Sequence, residues 1–268
     1  MRALLALVVA GCVPGTDYSG TEYRCDVDQT CPDGFVCQDG VCVTPGGGDG
    51  SGGPDIPAGT LVMGCDAGDP ACASDAQPAH EVSLAAFTID ATEVTEADYA
   101  DCVADGGCDP IDGAGTDPAL PVRGAAWTDA AAFCAWRGAR LPSEAEWERA
   151  ARDSDTRRFP WGDDDPTCTR AALAGCGDGP VAVASLEGDG PFGTADLVGN
   201  VAEWVADYYQ SDYYAQAPAS NPPGPTSGGE RVIRGGSYLD DPAAASAWAR
   251  RHADPLNPQP DVGVRCAD

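Results

Sequence analysis

Residues 140–152, RLPSEAEWERAAR, carry the sharpest local signal in the chain. Ser143 and Glu146 stand three apart at the head of an apolar-periodic run. At that spacing a hydroxyl and a carboxylate each satisfy a backbone amide that the first helical turn leaves without a partner. Pro142 precedes the pair, and Trp147, Ala150 and Ala151 follow as an apolar face. The stretch predicts a helix beginning at Ser143. Just upstream, TDAAAFCAWR (128–137) predicts another, with Thr128 capping its start, Gly138 ending it, and Phe133 and Trp136 on its apolar side. Further back, HEVSLAAFTI (80–89) reads as one half-buried strand. Beyond residue 160, Gly, Asp and Pro dominate and apolar pieces are short, which predicts long irregular connections held by disulfides or bound ions.

The chain has 268 residues, enough for one large domain or a medium one with small attachments. Asp and Glu number 43 against 15 basic residues, a formal charge of −28, and every one of those cations is arginine. With no lysine, a Schiff-base lysine and the lysine of a phosphate-binding loop are both excluded. The acidity repels nucleic acid and anionic headgroups, and it favours cationic partners or hard cations.

Residues 1–11 read as a removed signal segment: Arg2 is basic, Ala3–Ala10 is apolar, and the run is too short to span a bilayer. Val9-Ala10-Gly11-Cys12 resembles the lipobox of bacterial lipoproteins. That resemblance implies a lipidated Cys12 and a lipid-anchored protein of the bacterial cell envelope, in the periplasm or at the cell surface. Residues 12–43 form a small disulfide-rich module in which Cys25, Cys31, Cys37 and Cys42 lie within eighteen positions. So short a segment needs covalent staples, and its four cysteines allow three pairings. Residues 44–56 read as a Gly-rich flexible linker, and residues 57–268 as the globular domain.

Within 57–268 a series of motifs stands in order: Met63-Gly64, Pro78-x-His80, Glu93-Val94-Thr95, Trp127-x-Asp129-Ala130, Arg140 to Glu148, Phe159-Pro160-Trp161-Gly162, Gly199-Asn200-Val201-Ala202-Glu203-Trp204 and Arg234-Gly235-Gly236-Ser237. Together they resemble the formylglycine-generating enzyme (sulfatase-modifying factor) family. The resemblance implies an irregular α+β variant of the C-type lectin fold. It also implies an oxidoreductase activity that uses copper(I), held by two cysteines, to convert a protein cysteine to formylglycine. Those cysteines map to Asp240 and Ala245, downstream of Ser237. Copper(I) calls for soft thiolates, and neither position supplies one. The aromatic residue that the family carries inside its Gly-Asn motif is replaced by Ala202, which puts the substrate groove in doubt.

Relatives that use non-haem iron draw on several histidines; this chain has two, His80 and His252. The family's calcium site aligns with Asp196, Gly199, Val201 and Glu203, two carboxylates and two backbone carbonyls, a donor mixture suited to calcium. By resemblance Cys134 bridges to Cys266. Cys65 with Cys72, Cys102 with Cys108, and Cys168 with Cys176 are the economical local pairings. The expected function is a membrane-tethered family domain without oxidase activity, binding a peptide or protein ligand. The alternative is an active oxidoreductase, of formylglycine-generating or non-haem iron type, working with a different residue set.

Overall fold

The computed structural model describes residues 36–38, 41–43, 53–112, 115–242 and 244–268. Cys12, Cys25 and Cys31, with the lipobox, lie outside the described residues. The chain divides into two units, residues 1–45 and 46–268. In the first, β1 (Val36–Gln38) and β2 (Val41–Val43) pair antiparallel, with Cys37 opposite Cys42 in the register.

The second unit is α+β. β3 (Asp55–Ile56), β4 (Gly59–Met63), β5 (His80–Leu84) and β6 (Phe87–Thr88) form two antiparallel pairs, β3 with β6 and β4 with β5. Asp55 and Ile56, which the composition assigned to the linker, pair with Thr88 and Phe87, so the folded part starts before residue 57. The single strand expected over 80–89 is two strands, because Ala85 and Ala86 are exposed between them.

Three helices follow: α1 (Glu96–Ala104), α2 (Trp127–Trp136) and α3 (Glu144–Arg152). α3 starts as read, with Ser143 Oγ accepting from the Glu146 amide (3.2 Å) and Glu146 returning to the Ser143 amide (2.8 Å). α2 starts two residues earlier than expected: Ala126, not Thr128, is the cap, and Asp129 accepts from the Ala126 amide at 2.9 Å. Gly138 ends it at φ +81°, a left-handed conformation that favours glycine. α1 was not read from the sequence, although Thr95 and Asp98 form the same reciprocal cap.

No helix or strand occurs between Arg152 and β7 (Ala202–Tyr208), as the Gly/Asp/Pro content anticipated. Past β7 the expectation fails. β8 (Arg231–Arg234), β9 (Arg251–Ala253) and β10 (Val262–Gly263) join β7 in the largest sheet, in the order β10-β7-β8-β9. β10 runs parallel to β7 and the other pairs are antiparallel. Val205 belongs to a core with Ile56, Leu61, Val82, Trp147 and Leu197, whereas Trp204 belongs to another with Tyr99, Phe133, Leu141 and Val264. β7 is therefore covered on both faces.

Four disulfides tie this unit: Cys65–Cys72, Cys102–Cys108, Cys134–Cys266 and Cys168–Cys176. The third joins α2 to the last residues across a separation of 132, worth about 4–5 kcal/mol on the chain-entropy account. Among the described residues no helix is long and apolar enough to cross a membrane.

Candidate functional site

The segment after β8 sets the site. Gly235 and Gly236 both have left-handed φ, +88° and +67°. A Cβ on Gly235 would stand 2.7 Å from the Leu197 carbonyl, and one on Gly236 would stand 2.7 Å from Ala245 Cβ. Only glycine permits this close turn, which lays Ser237 against the 244–245 stretch.

Ser237 is fully buried. Its Oγ lies 2.7 Å from Asp261 Oδ2 and 3.0 Å from Asp240 Oδ2, and its amide donates to Asp240 Oδ2 at 2.9 Å. Arg251, on β9, donates from one nitrogen to both carboxylates, 3.0 Å to Asp240 and 2.7 Å to Asp261. Burial pushes the Asp261 carboxyl up, but hydrogen bonds from Arg251 and Ser237 prevail and hold it below the usual carboxylate range. Ala245 is fully buried beside Phe159, Leu173 and Val198. The two positions where the family's cysteines map thus hold a carboxylate locked by an arginine and a serine, and a packed methyl group. All eight cysteines of residues 57–268 are consumed in the four disulfides, so no thiolate is free in this domain.

The aligned calcium loop runs from Asp196 into β7. Asp196 and Asn200 are both at φ 58° and Gly199 at +84°. Asp196 accepts from the Ala184 amide at 2.6 Å. Glu203, the other aligned carboxylate, is engaged by protein donors. Arg265 donates to both its oxygens (2.8–3.1 Å), and the Trp147 indole donates to Oε2 at 2.6 Å. A carboxylate offers about four lone-pair positions, and three N–H groups occupy most of them.

Glu93 stands in one of the sequence motifs but was given no role there. It is buried, accepts from Asn200 Nδ2 at 2.6 Å and from the Val201 amide at 2.9 Å, and its carboxyl is raised well above the usual range. Burial is the main cause, followed by the charges of Asp196 and Glu203, with Arg265 opposing. Asp196 is raised as well, again chiefly by burial. Three buried carboxylates thus face one arginine. Among the described residues no three His, Cys, Asp or Glu side chains are grouped to hold a metal. Ala202 is fully buried and pairs with Val262 inside the sheet.

Behind Ser237 lies a buried ionic network built on α3. Glu144 and Glu148, at i and i+4, receive Arg234 of β8 at 2.8 and 2.7 Å. Arg250 donates to Glu144 at 2.7 and 3.0 Å, and Arg152 donates to Glu148 at 2.6 Å. Arg250 points into this network, and Asp241 is exposed. The histidines have separate partners. His80 approaches the Pro78 carbonyl at 3.0 Å and packs edge-on to Tyr214, while His252 stacks on Tyr209 and meets Glu230 at 3.0 Å.

These features define an α+β domain whose glycine–serine turn, helical cap and irregular central connection follow one sequence pattern. The chain belongs to the sulfatase-modifying factor enzyme 1-like family, whose family model matches residues 55–268. The formylglycine-generating enzyme of Streptomyces coelicolor is 36% identical over 170 residues, 56% of this chain and 53% of that enzyme, so the match spans about half the relative's length. The inactive C-alpha-formylglycine-generating enzyme 2 of Mus musculus is 34% identical over 164 residues, 55% of this chain and 49% of that protein. Among solved structures, PvdO from Pseudomonas aeruginosa matches with a TM-score of 0.69 at 26% identity, over 80% of this chain and 92% of the other.

Proposed function

We propose that this chain is a formylglycine-generating-enzyme-like module of the bacterial envelope that does not oxidise cysteine and instead binds a peptide or protein ligand. One observation carries the reading: Asp240, at the first copper-cysteine position, is locked by Ser237 and Arg251, while Ala245 fills the second. A cuprous ion would meet hard oxygen already neutralised by a guanidinium, the opposite of what its chemistry selects. That one relative carries an inactive designation agrees with loss of catalysis on this scaffold. Incubation of the purified protein with copper, oxygen and a Cys-x-Pro-x-Arg peptide is expected to leave the peptide mass unchanged. Loss of mass corresponding to an aldehyde would establish the active-oxidoreductase alternative instead.

The anchor belongs to the same proposal: Cys12 is lipidated and the module stands above a membrane on the Gly-rich linker. Mass spectrometry of the mature N-terminus decides it, and an unmodified terminus downstream of Cys12 would remove the anchor.

Calcium is proposed as a structural ion, held by the carboxylates of Asp196 and Glu203 and by the backbone carbonyls of Gly199 and Val201. Burial disfavours the charged forms of Glu93 and Asp196, a cost that a bound cation would relieve, and this supports it. Chelator-treated protein is expected to bind calcium in titration calorimetry with a rise in Tm, and Asp196→Asn to weaken both. No heat and no Tm shift in the parent protein would exclude the ion.

A further inference from the structure

A half-open cavity of about 220 Å³ is built from the 166–176 loop and Pro242. Its walls are apolar: Pro166, Ala171, Leu173, Ala174, Pro242 and the Cys168–Cys176 disulfide. Cys168, Ala174 and Pro242 are exposed, so the recess is reachable from solvent. The walls are also fixed. Ala171 and Leu173 belong to the buried cluster that holds Ala245. The Ala171 amide donates to the Thr167 carbonyl and the Cys176 amide to the Leu173 carbonyl, each at 3.0 Å. The Ala174 amide donates to the Asp240 carbonyl at 3.1 Å, which ties the loop to the stretch after Ser237. A recess held in this way is shaped before a ligand arrives, and binding costs little ordering.

The surroundings carry charge of one sign. Asp165 directly precedes Pro166, Asp178 stands two residues past Cys176, and Asp241 directly precedes Pro242. All three are exposed, and none forms an ion pair among the described residues. Residues 163–178 hold four aspartates and one arginine, Arg170, which donates to Asp164 at 3.2 Å. Beside Asp240, Leu239 is 58% exposed. Exposed apolar surface rimmed by polar groups marks an interaction site. A second copy of this chain, at a formal charge of −28, is repelled by such a rim, as are nucleic acid and anionic lipid. A polypeptide that offers one apolar side chain between cationic ones satisfies both the recess and its rim. A cavity of about 150 Å³ holds benzene, so this one takes a leucine or phenylalanine side chain.

We propose that this recess is the docking slot for a leucine or phenylalanine side chain of a peptide segment that carries arginine or lysine on either side, with Asp165, Asp178 and Asp241 attracting those cations. The proposal rests on the peptide-binding reading above and adds the class of peptide and the place that holds it. Fluorescence anisotropy on the full chain tests it with a labelled, capped Arg-Arg-Leu-Arg-Arg peptide, the same peptide with Ser for Leu, and Glu-Glu-Leu-Glu-Glu. The leucine peptide is expected to bind saturably, the serine peptide about tenfold weaker, and the glutamate peptide not measurably up to about 1 mM. Ala174→Phe, at an exposed wall position that does not burden folding, fills the slot and is expected to abolish the preference for leucine over serine. Asp165→Asn/Asp178→Asn/Asp241→Asn is expected to weaken the leucine peptide about tenfold. Equal binding of the leucine and serine peptides, or a leucine preference that survives Ala174→Phe, overturns the slot and leaves a domain that binds peptide elsewhere. Unchanged affinity in the triple variant, or binding of the glutamate peptide, overturns the cationic requirement. Absence of leucine-peptide binding up to about 1 mM also overturns the slot, and screening a random-sequence peptide library against the protein then decides the wider reading separately.

Discussion

Glu148→Gln is expected to lower the unfolding free energy of the domain by about 3–5 kcal/mol, the cost of leaving buried charge without its counter-ion. The carboxylate is fully buried and takes Arg234 on one oxygen (2.7 Å). On the other it takes Arg152 (2.6 Å) and the Gly64 amide (2.7 Å). Gln keeps the shape of Glu, so the effect is electrostatic rather than a void. Its amide satisfies one side as an acceptor, but its NH₂ then points at a guanidinium donor. Glu144 remains to serve Arg234, yet it already binds Arg250 through both oxygens. Urea unfolding of parent and variant, followed by tryptophan fluorescence, measures the difference. A loss below about 1 kcal/mol would mean that water or relaxation compensates the arginines and that the network is not a stabilising clasp.

The second large effect depends on pH and centres on Asp207, which is buried on β7 and accepts from the Glu144 amide at 2.7 Å. Burial, and then the nearby Glu144 charge, push its carboxyl up to about 7. In the unfolded chain the group titrates near its ordinary value of about 4. Between these limits the folded protein holds a proton that the unfolded chain has released, so stability falls as pH rises. The contribution is complete below about pH 4 and lost above about pH 7, a span of roughly 2–4 kcal/mol. Asp207→Asn keeps an acceptor for the Glu144 amide and removes the titration. Relative to the parent protein, this variant should gain stability steadily from pH 4 to 7 and no further beyond. Parallel pH profiles for the two proteins would show that Asp207 is ionised at neutral pH and that the network tolerates its charge. Gly224, at φ +77°, belongs to the same corner, since a Cβ there would stand 2.5 Å from Asp207 Oδ1.

The buried network shows where reading the sequence succeeds and where it stops. Ser143 and Glu146 announce the start of α3 because their partners are three residues apart. Glu144, Glu148 and Arg152 follow at intervals of four, and that stripe marks one face of the helix. Charge on such a stripe ordinarily indicates solvent. Here it faces the core, because Arg234 and Arg250 arrive from 90 and 106 residues away to neutralise it. The largest sheet was missed for a related reason. β7 carries apolar side chains on both faces, so its first four residues are all buried and no period of two appears.

Chain identity alone fixed what this protein lacks. With no lysine anywhere, Schiff-base lysine chemistry has no donor whatever the fold, and by the family resemblance Asp240 and Ala245 stand where two cysteines are expected. Local spacing likewise set the cap of α3 and the economical cysteine pairs, because those partners sit within a few residues. Tertiary structure decided what each charge does. It paired Glu203 with Arg265, turned Arg250 inward, and tied Asp240 to Ser237 and Arg251. Those outcomes depend on which distant segments close against one another, and water is displaced only once they have closed; until then every such charge is simply solvated.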